Sequence, residues 1–73
     1  MSYGASVYIV SAPVHNGKCW RFRASDGTKH ATPSDLLASL ARQYWRSHER
    51  VILEGGNGYY YRDCWAIKPA GKA

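Results

Sequence analysis

Lys18-Cys19-Trp20-Arg21-Phe22-Arg23-Ala24-Ser25 is the stretch on which the fold turns. Its residues alternate in character with a period of two. Trp20, Phe22 and Ala24 fall on one side, and Cys19, Arg21 and Arg23 on the other. That period belongs to a β-strand, whose successive side chains point to opposite faces. The stretch predicts a half-buried strand with Trp20 and Phe22 turned inward. Asn16-Gly17 precedes it and Asp26-Gly27 follows it. Both dipeptides tolerate the positive φ that a tight hairpin needs. Antiparallel neighbours are therefore expected on both sides. Before it, Ser6–Ala12 is rich in β-branched and aromatic residues and is stopped by Pro13. After it, Thr28–Ala31 returns as a short strand.

Thr32-Pro33-Ser34-Asp35 reads as a helix start. Thr32 is expected to cap, Pro33 suits the first helical position, and Asp35 complements the positive end of the helix dipole. The helix is expected to run to His48 or Arg50. Leu36, Leu37, Leu40, Ala41, Tyr44 and His48 share one side, and Trp45 lies at the border. Asp35, Ser39, Arg42, Gln43, Arg46, Glu49 and Arg50 share the other. Beyond it come a short strand, Val51–Glu54, a glycine-rich turn over 55–58, and a last strand, Tyr59–Ile67. Pro69 is expected to stop that strand and leave 70–73 as a loose end. The order β-β-(β)-α-β-β predicts one α+β domain over 1–73. It is a small antiparallel sheet with a single amphipathic helix packed on one face. Trp20, Phe22, Leu37, Leu40 and Tyr44 are the expected core.

The chain of 73 residues carries ten Lys and Arg against five Asp and Glu, a net charge of +5. Most of the basic residues are spread through the chain between Arg21 and Lys68 rather than gathered in a tail. A folded basic surface favours an acidic partner, expected here to be nucleic acid or an acidic protein surface of a nucleic-acid-handling complex. With 45% apolar and 14% aromatic residues, the composition is that of a globular domain and not of a disordered segment. No apolar run reaches the roughly 18 residues of a membrane span. No charged leader followed by an apolar stretch opens the chain, so a cytoplasmic location is expected. There Cys19 and Cys64 are expected as reduced thiols, and the strand period leaves open whether they are neighbours on the sheet surface. Neither cysteine has metal-ligand spacing to His15, His30 or His48, and no cofactor or metal is expected. The same histidines lack a nucleophile or carboxylate in a recognisable motif. Gly55-Gly56-Asn57-Gly58 lacks the Lys-Ser/Thr ending of a phosphate loop. A non-enzymatic role follows.

Two basic groups stand out as candidate binding sites. On the strands, Arg21 and Arg23 face outward, and Tyr60 and Arg62 of the last strand are expected to join them. Arginine offers paired donors to phosphate, and tyrosine offers a stacking face to unpaired bases. On the helix, Arg42, Arg46 and Arg50 recur every four residues and form one stripe.

Trp20-Arg21-Phe22-Arg23, the Asp26-Gly27 turn and the following helix resemble the hairpin-plus-helix pattern of arm-type DNA-binding domains of phage integrases. Asn57-Gly58-Tyr59-Tyr60-Tyr61-Arg62-Asp63 resembles a strand of such domains. The two segments lie on opposite sides of the helix, which departs from that family's order. The compact β-β-α-β-β plan is also similar to that of phage-encoded inhibitors of host machinery, including anti-CRISPR proteins. The first resemblance implies nucleic acid as the partner of the sheet face. The second implies blockade of a host protein complex, here through the arginine-bearing helix face.

Overall fold

The computed structural model describes residues 3–56, 58 and 60–71. Its elements are β1 (Tyr3–Val7), β2 (Val14–His15), β3 (Trp20–Arg23), β4 (Lys29–Thr32), α1 (Asp35–Ser47), β5 (Val51–Gly55) and β6 (Arg62–Pro69). The domain is α+β, with one helix packed against a six-stranded mixed sheet of order β1-β5-β6-β4-β3-β2. Neighbours are antiparallel except β4 and β6, which run parallel, with His30 beside Arg62 and Ala31 beside Asp63. Two hairpins flank the helix in sequence. The parallel contact joins them edge to edge, and local turn signals carry no information about it.

The expected strand over 6–12 is divided. Tyr3–Val7 pairs with β5, and the chain then crosses to β3. Ile9 bridges Ala24, the Ser25 N–H donates to the Tyr8 carbonyl at 2.8 Å, and Val14 and His15 pair with Arg21 and Trp20. One N-terminal segment thus touches both ends of the sheet and curls it into a small, partly open barrel. Val7 and Ile9 point into that barrel.

Pro33 decides where the helix starts. Proline holds the preceding residue extended, so Thr32 stays in β4, where it is buried. Ser34 takes the cap instead of Thr32, and its Oγ accepts from the Leu37 N–H at 3.2 Å. Pro33 therefore precedes the helix rather than opening it. At the other end His48 adopts the left-handed conformation (φ 57°) and its N–H closes on the Tyr44 carbonyl. Ala38 and Ala41 are the helix residues buried against the sheet, with Leu37, Leu40 and Tyr44 packed beside them. Leu36, expected on this face, is 72% exposed. Five positions separate it from Ala41, a rotation of about 140° around the helix.

The core comprises Val7, Ile9, Phe22, Ala24, Ala41, Val51, Leu53, Cys64 and Ile67. Trp20 is only half-buried, at the rim. Its indole N–H donates to Asp35 Oδ1 at 2.8 Å, tying the start of β3 to the first turn of α1.

The last strand begins at Arg62 rather than Tyr59. A side chain at Gly58 would collide with the Tyr61 carbonyl, so the chain folds tightly back there before pairing starts. Tyr59 lies outside the described residues. A β-bulge follows, because Gly55 stands opposite Cys64 while Glu54 stands opposite Ala66. The extra residue moves Ile67 into phase with Cys64, and both are buried. Strict alternation would place them on opposite faces. A Cβ on Gly55 would strike the Asp63 carbonyl oxygen, backbone with no freedom to yield. Gly55→Ala is expected to cost about 1–3 kcal/mol in a urea titration, as overpacking does. A midpoint equal to wild type would show that Gly55 is not confined by the bulge.

Candidate nucleic-acid interface

Arg21 and Arg23 alternate with the buried Phe22 and are exposed, as the strand period predicts. Register adds a third cation. Lys29 of β4 lies directly opposite Arg23 and shares its face. The aromatic member is Tyr61, not Tyr60. The Arg21 guanidinium carbon lies 4.4 Å from the Tyr61 ring centroid and Lys29 Nζ lies 5.9 Å from it. These four side chains, with Ser11, Ala12 and Val14 of the N-terminal segment, surround a groove of about 330 Å³. Cations rim it, and Ala12 and Val14 give it an apolar wall. The ion pair Lys68–Glu54, at 2.8 Å, joins β6 to β5 and includes none of this group.

The expected companions of Arg21 and Arg23 are placed elsewhere. Tyr60 is 79% exposed in the connection ahead of β6. Arg62 pairs in register with the buried His30 and so belongs to the opposite side of the sheet. The parallel β4–β6 contact sets that phase, and it is a tertiary choice. Lys29 was within reach of sequence reasoning, since a short hairpin around Asp26-Gly27 sets it across from Arg23. Tyr61 was not, because the position before β6 depends on the fold-back at Gly58.

On the helix, Arg42 and Arg46 line a shallow depression of about 500 Å³ with Ser39, Gln43 and Ser47. Arg50 does not continue the row. The left-handed His48 ends the helix first, and the Arg50 guanidinium carbon sits 5.6 Å from the Tyr8 ring, which stacks on His48.

None of the singled-out cysteines and histidines lines the groove beside Arg21 and Tyr61. Cys19 and Cys64 are free thiols, but they are not neighbours on the sheet surface, because Cys64 is in the core. Burial pushes the Cys64 thiol up to about 11, against a weak sulfur contact to the Ala66 carbonyl. It stays protonated and is a poor nucleophile. His15 packs edge-on against Trp20. His30 is 1% exposed, stacked on Phe22 with 5.6 Å between centroids. The Thr28 hydroxyl lies 2.6 Å from His30 Nε2 and 2.6 Å from Asp26 Oδ1. Burial lowers the His30 pKa to about 4, with the Arg62 charge lowering it further and Asp26 partly opposing. Neutral His30 is thus the form the fold holds. Among the described residues, α1 at 13 residues is not long and apolar enough to cross a membrane.

Comparison with protein-family models, with curated proteins and with solved structures gives no match.

Proposed function

We propose that this domain binds nucleic acid, without catalysis, through the outer face of β3 and β4. The observation that carries the reading is the convergence of Arg21, Arg23 and Lys29 with Tyr61 around one groove. Such a set offers charge to the backbone and a π-face to a base, which is what single-strand recognition uses. Strand connectivity supports it. Counting β1 and β2 as one bent strand, the order is that of the OB-fold, whose second and third strands and adjoining loops bind oligonucleotides in many proteins. In this chain those strands are β3 and β4, and the connection carrying Tyr60 and Tyr61 is one of the loops. This is likeness of fold, and fold alone does not assign function. A cytoplasmic location, where thiols stay reduced, suits the two free cysteines.

The test is a titration of labelled single-stranded oligonucleotides at two salt concentrations. Arg21→Ala with Arg23→Ala is expected to weaken binding across sequences. The slope of log K against log salt should shrink by about 0.7 for each single-strand phosphate that is no longer neutralised. A wild type with only weak, salt-erased attraction would defeat the reading. A protein-directed inhibitor acting through the helix depression would then take its place, with Arg42 and Arg46 as its charged contacts. In that case Arg46→Glu, and not the strand variants, should release an acidic partner.

A further inference from the structure

The Arg23–Lys29 pair borders a second groove as well as the first. The first holds Ala12, Val14, Arg21 and Tyr61 on one side of the pair. The second, of about 470 Å³, holds Val10, Ala24, Ser25 and Gly27 on the other. Both volumes fall in the range of small-ligand sites, about 300–1,000 Å³. The N-terminal segment walls both grooves, and it presents an exposed valine to each. Val14 is 65% exposed and Val10 is 49% exposed. Apolar surface left open beside cations suits a planar, uncharged ring attached to a phosphate. Gly27, with φ 88°, keeps the floor of the second groove free of a side chain.

We infer that the face is a two-subsite track for adjacent nucleotides of a single strand, with one phosphate held between the subsites by Arg23 and Lys29. This rests on the nucleic-acid reading above and specifies its footprint. One base extends the Arg21–Tyr61 stack against Val14. Its phosphate meets Arg23 and Lys29, which face each other across the β3–β4 ladder. The next base lies against Val10 over the Gly27 turn. Duplex DNA is excluded from this arrangement, since its bases are stacked and paired and only its backbone would reach the cations.

The experiment is competition by unlabelled ligands against a labelled oligothymidylate, followed by anisotropy. The ligands are a nucleoside monophosphate, a dinucleotide, a tetranucleotide, the tetranucleotide sugar-phosphate lacking bases, and a hairpin duplex. Binding of the dinucleotide about 10-fold or more tighter than the monophosphate is expected, with a smaller gain from two to four. The baseless chain and the duplex should compete about 10-fold or more weakly than the tetranucleotide, since each stacked base contributes roughly 5- to 160-fold. Val10→Ser and Val14→Ser are both at exposed positions and should leave the fold intact. Each should weaken the dinucleotide and leave the duplex unchanged. Affinity that grows evenly with phosphate number, whether or not bases are present, would overturn the two-subsite track while leaving nucleic-acid binding in place. A monophosphate as tight as the dinucleotide would overturn it too. No competition and no binding of the labelled strand would overturn both readings.

Discussion

Phe22→Ala is expected to remove about 3–5 kcal/mol of folding stability, the usual cost of emptying a buried aromatic site. Phe22 is 2% exposed and is the largest of the fully buried side chains. It stacks on His30 and belongs to the cluster formed by Val7, Ile9, Leu53 and Ile67. The site has little means of collapse, because β3 is held between β4 and the N-terminal segment. Small domains have little stability to lose. At about 0.05–0.15 kcal/mol per residue, a chain of this length holds about 4–11 kcal/mol. The substitution therefore takes a large share of the total and should leave a visibly unfolded fraction at modest urea. Tryptophan fluorescence during urea titration reads the loss. Phe22→Leu fills much of the volume and should retain more than half of it. A Phe22→Ala midpoint shifted by less than the equivalent of about 1 kcal/mol would mean that Phe22 is not the centre of the core.

Acid is expected to destabilise the domain through His30. Its pKa is about 4 when folded and 6.5 when free, so the unfolded chain binds a proton that the folded chain refuses. Stability from this group is fully present above pH 6.5. It falls as the pH drops from 6.5 to 4, and levels once the folded form also takes the proton. The gap corresponds to about 3 kcal/mol, at 1.36 kcal/mol for each tenfold change in proton affinity. The cause is burial first, with Arg62 adding to it and Asp26 opposing. Urea titrations at pH 7, 5.5 and 4.2 would measure the slope. His30→Gln removes the titrating group and should flatten the curve over that interval, whatever it does to stability at pH 7. An unchanged slope in His30→Gln would show that another group carries the acid sensitivity.

Much of this architecture was legible residue by residue, and the exceptions share a cause. Arg21-Phe22-Arg23 alternates, so local sterics alone set Phe22 in and the arginines out. Asn16-Gly17 and Asp26-Gly27 marked their turns because few other dipeptides accept positive φ there; Gly17 and Gly27 have φ 98° and 88°. The helix was legible from Ser34 and Asp35 onward, but the capping hydroxyl shifted from Thr32 to Ser34, Leu36 turned outward, and His48 ended the helix before Arg50. In the candidate site, Arg21 and Arg23 were readable from the strand period. Tyr61 and Lys29 entered through chain reversals, and Arg62 left through strand pairing.

Sequence by itself determined the α+β class, the hairpin around Asp26-Gly27, the amphipathic helix and the outward arginines, since each rests on contacts within a few residues. Tertiary structure alone decided the parallel β4–β6 pairing, the crossing of the N-terminal segment from β5 to β3, and the bulge at Gly55. Those choices place Cys64 and Ile67 together in the core, send Arg62 to the His30 side, and bring Tyr61 over Arg21. The physical reason is range. A strand's period specifies two faces, but which face meets which neighbour depends on pairing between segments such as β4 with β6 and β1 with β5, far apart in the chain, where loop-closure entropy and burial, not propensity, select the register.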